Sequence, residues 1–190
     1  MARSPHRNPG WCPRPASAKT SAMELMRETP EDGWLVEALF DTCFAPGRTA
    51  LSSYRLRDDV PPARDLCLLA RGDMGEVAGA IRFWPVRVGG RWDAMLLGPV
   101  AVHPTHQGEG LGAFLIQSGL DRAAVAGVER VLLVGDAPYY ARFGFDRLTD
   151  VAMPPPTNPD RILGTWDWTG VTGAVTRALP EPSPVPTSIS

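Results

Sequence analysis

The stretch Leu97-Gly98-Pro99-Val100-Ala101-Val102-His103-Pro104-Thr105-His106-Gln107-Gly108-Glu109-Gly110-Leu111-Gly112-Ala113-Phe114-Leu115 decides the fold. Apolar residues up to Val102 read as a buried strand, and His103-Pro104 as the start of a short turn. Gln107 to Gly112 is a glycine-rich loop, and a helix begins inside it. Gly108, Gly110 and Gly112 stand at alternate positions, so the backbone can approach a ligand and aim successive N–H groups into one small space. The helix adds its positive end to the same place. Together these features describe a cradle for a diphosphate.

Three kinds of cradle compete for the string. A dinucleotide fold needs G-x-G-x-x-G directly after its first strand, whereas these glycines fall past the middle of the chain at another spacing. A P-loop needs a lysine, and Lys19 is the only one in the sequence. The third pattern, Q/R-x-x-G-x-G/A after a strand ending V-x-P, fits at Gln107, Gly110 and Gly112. In this the loop resembles the acyl-CoA pyrophosphate loop of the GNAT superfamily of N-acetyltransferases. The plain alternative is a glycine-rich helix start that holds nothing. Against it, glycine in a helix costs about 1 kcal/mol relative to alanine.

A second stretch agrees. Val131-Leu132-Leu133-Val134 suits a buried strand and leads through Gly135-Asp136 into Pro138-Tyr139-Tyr140-Ala141-Arg142-Phe143-Gly144-Phe145. The Y-x-x-x-G-F ending is similar to the other GNAT signature, and Gly-Asp before a doubled tyrosine resembles the YhbS-like bacterial branch. The resemblance spans residues 23 to 150 and is sharpest from 97 to 145. One departure stands out. Many members carry an asparagine and a longer helix where this chain has Gly135-Asp136-Ala137-Pro138.

Between these landmarks the chain reads as an antiparallel meander. A helix starts at Thr29-Pro30-Glu31-Asp32, with Thr29 as cap, and ends near Phe44 before Pro46-Gly47; Ala50 to Leu56 form a shorter one. Strands follow at 66–70, 77–88 and 91–102, turned at Gly72-Asp73 and Gly89-Gly90. Gly110 to Ala126 is helical, with Ala113, Ile116, Leu120 and Ala124 on one face and Gly127 as its stop. That helix is a crossover of the kind that joins parallel neighbours, here the strands at 91–102 and 130–135. Proline cannot donate to a ladder, so a bulge belongs at Gly98-Pro99. A last strand is expected over 161–168, with Trp166 and Trp168 sharing one face. The fold class is α/β with a mixed sheet. The resemblance implies the GNAT acyltransferase architecture, in which a mostly antiparallel sheet contains one splayed parallel pair and is flanked by helices.

Composition narrows the classes. A chain of 190 residues with 44% hydrophobic residues supports one core, expected over residues 23–170. Residues 1–22 read as a disordered extension, with Met23 as an alternative start, and 171–190 as a C-terminal segment ending in a disordered Pro/Ser-rich tail. A net charge of −2 and the lack of a basic stripe give no reason to expect nucleic acid. No apolar run is long enough to span a membrane. Cys12, Cys43 and Cys67 are odd in number and scattered, which suits reduced thiols and a cytoplasmic setting. No metal site is expected, since His103 and His106 form only an i, i+3 pair in a proline-containing turn.

The resemblance implies acetyl-CoA as cosubstrate and an amine, of a small molecule or a peptide, as acceptor. Backbone groups of Gln107, Gly108, Glu109, Gly110, Leu111, Gly112 and Ala113 would hold the diphosphate. Val100, Ala101 and Val102 would line the pantetheine arm and thioester. Tyr140, four residues before Gly144, would protonate the departing thiolate, while for its neighbour Tyr139 a packed aromatic is the favoured reading, its family counterpart being usually apolar. Asp93, Glu76, Glu109 and His103 are the candidate general bases, with none preferred. Arg48, Arg55, Arg57, Asp58 and Asp59 form a mixed-charge rim for the acceptor. Transfer is expected in a ternary complex without a covalent enzyme intermediate, and a homodimer is compatible with the family. The alternative from another class is a catalytically silent acyl-CoA sensor or partner module.

Overall fold

The computed structural model describes residues 23–44 and 47–179, with only the backbone of residue 50. The expectations for residues 1–22, for Pro46 and for 180–190 lie outside them. The elements run β1 (Glu24–Arg27), α1 (Gly33–Cys43), α2 (Ser52–Arg55), β2 (Leu68–Arg71), β3 (Val77–Val88), β4 (Trp92–Val102), α3 (Leu111–Val125), β5 (Arg130–Val134), α4 (Ala137–Tyr140), β6 (Asp146–Arg147), β7 (Val151–Ala152), β8 (Ile162–Trp166) and β9 (Gly173–Arg177). Strand order along the sheet is β1-β2-β3-β4-β5-β8-β6. β2 pairs with the first half of β3, and β9 takes the same side of its second half, at Val86–Val88. All pairings along that path are antiparallel except β4 with β5.

The mixed sheet with its parallel β4–β5 pair is the expected architecture. The parallel register is short: Met95 faces Val131 and Leu96 faces Leu132, and there it stops. Beyond Leu96, β4 keeps only β3 as a partner, while β5 keeps only β8. A gap opens between the two strands at their C-terminal ends.

The cause is in the sequence of β4. Ile81 pairs with Val100 and Phe83 with Leu97, so β4 spends one residue more than β3 at Gly98-Pro99. Gly98 has φ +119°, which a side chain would oppose. The extra residue also reverses which side chains face which way. Met95 and Leu97 lie with the core under α3, and after the bulge it is Val100 and Val102 that do so. Ala101 turns instead to the opposite core, with Val36, Leu39 and Phe40 of α1.

α3 covers one face of the sheet. Its buried residues are Leu111, Leu115, Ile116, Gly119, Leu120 and Ala123. The expected face is corrected at its ends: Ala113 is only half-buried and Ala124 is exposed. The reason is Gly119, where a Cβ would lie 2.7 Å from Phe83, so the helix approaches the sheet along a line centred there.

Other differences lie at the sheet's edges. β1, β6, β7 and β9 were not anticipated, because strands of two to five residues leave little alternation to read. β9 lies in the stretch that the sequence reading set apart as a C-terminal segment. The last expected strand ends at Trp166, whose φ of +72° breaks the period. Trp166 is exposed, while Trp168 folds back over Gly164 and donates from Nε1 to Thr165 O at 2.9 Å. The two tryptophans do not share a strand face.

Candidate active site

The gap has one polar edge. His103 N–H bonds Ala78 O at 2.8 Å, and hydrogen-bonded pairs alternate along an antiparallel ladder. The pair at Ala101 and Ala80 therefore faces inward, and Val100 and Val102 turn their backbone groups toward the gap. Of the three strand residues expected to line a ligand, Ala101 has its polar groups committed to β3. The Val102 carbonyl accepts from Gln107 Nε2 at 3.0 Å and from Cys43 Sγ at 3.3 Å. The Gln107 side chain thus fastens the loop to the end of β4.

At the same end of β4 lies the start of α3. Its first helical bond is Phe114 N–H to Gly110 O at 3.0 Å, so the N–H groups of Leu111, Gly112 and Ala113 have no acceptor within the helix. No side chain caps this end, where Gly110 sits at φ +83°. A Cβ at Gly108 or Gly110 would meet no atom within 4 Å, so the loop's outer surface is open. No Lys or Arg occurs between Arg91 and Arg122, so within the loop and the first turn of α3 the positive potential comes from backbone N–H groups and the helix end. Glu109 is exposed beside them. His106 Nε2 and Glu76 Oε1, 3.1 Å apart, brace the loop from the β2–β3 turn.

α4 and the 3-10 turn after it set two tyrosines differently. Tyr140 packs into the core under α3, its ring edge-on to Phe145 at 5.9 Å and against the face of Gly135. Burial pushes its phenol above the ordinary value, Tyr139 adds to this, and Arg161 partly opposes it. The phenol is therefore protonated at neutral pH. Tyr139 is exposed, and its hydroxyl lies 3.8 Å from where a Cβ on Gly112 would stand. Arg142 stacks over the Tyr139 ring at 4.0 Å.

On the face of the sheet toward α1, a cavity of about 180 Å³ adjoins the bulge and includes Pro99 in its wall. Its remaining walls carry Glu37, Arg48, Thr49, Tyr54, Arg57, Asp58 and Trp84, together with Arg82 opposite the bulge. Arg82 is buried and bonds both oxygens of Glu28 as well as Glu37. Arg48 bonds Glu37 at 2.7 Å, Asp41 at 2.9 Å and the Tyr54 hydroxyl at 2.9 Å. Burial pushes the Glu37 carboxyl up, but bonds from Arg48 and Arg82 outweigh it and hold the carboxyl below its usual range.

Residues 21–145 match the acetyltransferase (GNAT) family, a span of more than half the chain. The chain belongs to the GNAT family of acetyltransferases. It is 35% identical over 127 residues to the uncharacterized N-acetyltransferase YhbS of Escherichia coli strain K12, across 65% of this chain and 74% of that protein. It is 37% identical over 94 residues to the uncharacterized N-acetyltransferase YjhQ of the same strain, across 48% of this chain and 51% of that one. Its fold is similar to the crystal structure of Escherichia coli YhbS in complex with CoA, with a TM-score of 0.71 and 28% identity over 85% of this chain and 93% of that one. A GNAT family acetyltransferase from Brucella melitensis in complex with acetyl-CoA gives a TM-score of 0.56 and 31% identity, over 76% of this chain and 96% of that one.

Within this GNAT chain the candidate bases are dispersed. Asp93 pairs with Arg87 at 3.0 Å near the start of β4, Glu76 is engaged by His106, and His103 Nδ1 lies 2.7 Å from Thr105 Oγ1. None of these lines the cavity at the bulge. From the expected acceptor rim, Arg48, Arg57 and Asp58 do line it. Arg55 instead donates to Pro155 O at 2.6 Å, and Asp59 meets Arg177 at 3.5 Å. Sequence reasoning missed Glu37, Tyr54, Arg82 and Trp84. Arg82 had a signal, a lone charge inside the apolar run Val77–Trp84. Among the described residues no helix is long and apolar enough to cross a membrane.

Proposed function

We propose that this GNAT chain transfers an acetyl group from acetyl-CoA to a primary amine by direct attack in a ternary complex. The observation that carries the reading is the gap between β4 and β5 beyond Leu96 and Leu132. It joins the open start of α3 to the bulge, and the cavity adjoins that bulge on the α1 face.

The residues fit that cosubstrate. The acceptor-free N–H groups of Leu111, Gly112 and Ala113, with the open loop at Gly108, Glu109 and Gly110, suit a diphosphate. Gln107 holds this loop in place from the end of β4. The edge at Val100 and Val102 suits an amide-bearing arm that pairs as an added strand. When bound, acetyl-CoA supplies an acetyl group activated as a thioester. Backbone N–H groups beyond the bulge would polarise that group's carbonyl, because they have lost their partner strand. Tyr140, kept protonated by burial, would deliver a proton to the departing thiolate. Glu37, held ionised by two arginines, is a poor general base, which favours an amine that arrives neutral or loses its proton through water.

For the setting we propose the cytoplasm, supported by Cys43 and Cys67 being free thiols. The function is tested by a thiol-release assay with acetyl-CoA and a panel of amines, with wild type beside Tyr140→Phe. Release that depends on the amine and weakens in the variant supports transfer. Binding of acetyl-CoA with no release for any amine would favour a silent acyl-CoA module.

A further inference from the structure

The cavity beside the bulge is lined by three guanidinium groups and by the carboxylates of Glu37 and Asp58, and two of the guanidiniums have carboxylate partners. Arg82 is matched by Glu28 and Glu37, and Arg48 by Glu37 and Asp41. Arg57 forms no ion pair among the described residues. Its Nε and Nη1 are sealed from solvent and have no hydrogen-bond acceptor. Trp84, in the same wall, has a buried Nε1 with no acceptor either. Two desolvated guanidinium nitrogens and a desolvated indole N–H are costly to leave unmet.

Packing holds Arg57 where it is. The guanidinium stacks over the Tyr54 ring at 4.0 Å and lies 5.7 Å from the Trp84 ring. Its Nη2 is 3.9 Å from where a Cβ on Gly98 would stand, which puts the charge against the β4 bulge. Burial pushes the group down to about 10, with Tyr54 opposing the shift, so it keeps its charge at neutral pH. Arg57 Nη2 is not among these sealed atoms, so a ligand in the cavity meets the cation there, and the partner it calls for is an anionic acceptor. A carboxylate that accepts from Nη2 is a small anion that supplies a charge-assisted hydrogen bond to this cation. The space of about 180 Å³ is below the roughly 300–1,000 Å³ of sites for drug-sized molecules.

We infer that this cavity receives an acceptor amine that also bears a carboxylate, and that Arg57 binds the carboxylate beside the bulge. The inference rests on the acetyltransferase reading and narrows its acceptor to a small amino acid or amino-acid-like acid. Arg57 selects the acceptor, and the bulge puts the acceptor's amine next to the gap.

Calorimetric titration onto the CoA-saturated protein tests this without turnover. The probes are matched pairs: glycine against methylamine, leucine against isoamylamine, and phenylalanine against phenethylamine. At least one acid should bind tenfold or more tightly than its amine. Arg57→Gln should erase that gap while keeping CoA affinity and a thermal midpoint no lower than wild type. Arg57→Lys, which keeps the charge and guards against a folding defect, should retain part of the preference. Equal binding within every pair, or no acid binding to a protein that takes up CoA, overturns the proposal. Failure of CoA itself to bind would instead overturn the acyltransferase reading, and the proposal with it.

Discussion

Arg82 donates to both oxygens of Glu28, from Nε at 2.8 and 3.1 Å and from Nη2 at 2.6 Å. Both residues are buried, and the pair ties the strand opposite the bulge to the segment between β1 and α1. Glu28→Gln leaves the guanidinium with only Glu37, so it should cost about 3 kcal/mol, the low end for a broken buried pair. Urea denaturation measures this. A loss below about 1 kcal/mol, typical of exposed pairs, would mean the ion pair contributes little.

Gly119 sets the distance between α3 and the sheet. A Cβ there would lie 2.7 Å from Phe83 Cε2 and 2.9 Å from Cζ. Phe83 has no solvent exposure and little room to move. Gly119→Val should therefore destabilise by about 2–3 kcal/mol through overpacking. A thermal midpoint equal to wild type would contradict the close approach.

The backbone of the candidate site, its bulge and its loop, could be read from the sequence because its determinants are local. Proline at position 99 forbids regular pairing, and glycines at 108 and 110 permit positive φ, so the bulge and the loop could both be placed. The boundaries of β3, β4, α3 and β5 follow from apolar runs and turn residues. The cavity could not be read in this way. Glu37, Arg82 and Trp84 meet Arg48 and Arg57 only after α1, α2 and β3 pack together. Charge on an isolated helix or strand does not reveal which partner it will find.

Acid should weaken the fold in a predictable direction. Burial raises the Asp32 carboxyl, but hydrogen bonds from the Thr29 N–H and hydroxyl and from Arg71 outweigh this and hold it below its ordinary value. Glu37 is lowered as well. Folded-state values below the unfolded ones give stability that is fully present above the ordinary carboxylate range, about pH 4, and lost as pH falls through the lowered values. Asp32→Asn should flatten the decline of the urea midpoint below about pH 5. An unchanged decline would mean Asp32 carries none of it.

Tyr140→Phe should lower kcat about a hundredfold, the scale of a lost proton donor, and leave acetyl-CoA affinity unchanged. Because burial raises the wild-type phenol, its activity should show no Tyr140-linked fall until above about pH 10. A pH–rate profile checks this, and an unchanged kcat in Tyr140→Phe across that range would remove Tyr140 from the reaction.

The most direct test is calorimetric titration of acetyl-CoA into the wild-type protein and into a variant carrying Gly110→Asp and Gly112→Asp. Both substitutions place a carboxylate where the unpaired N–H groups of α3 begin. The wild type should bind in the micromolar range, and the variant, if circular dichroism shows it folded, should not bind detectably. Absence of binding by folded wild-type protein, or undiminished binding by the variant, would contradict the account.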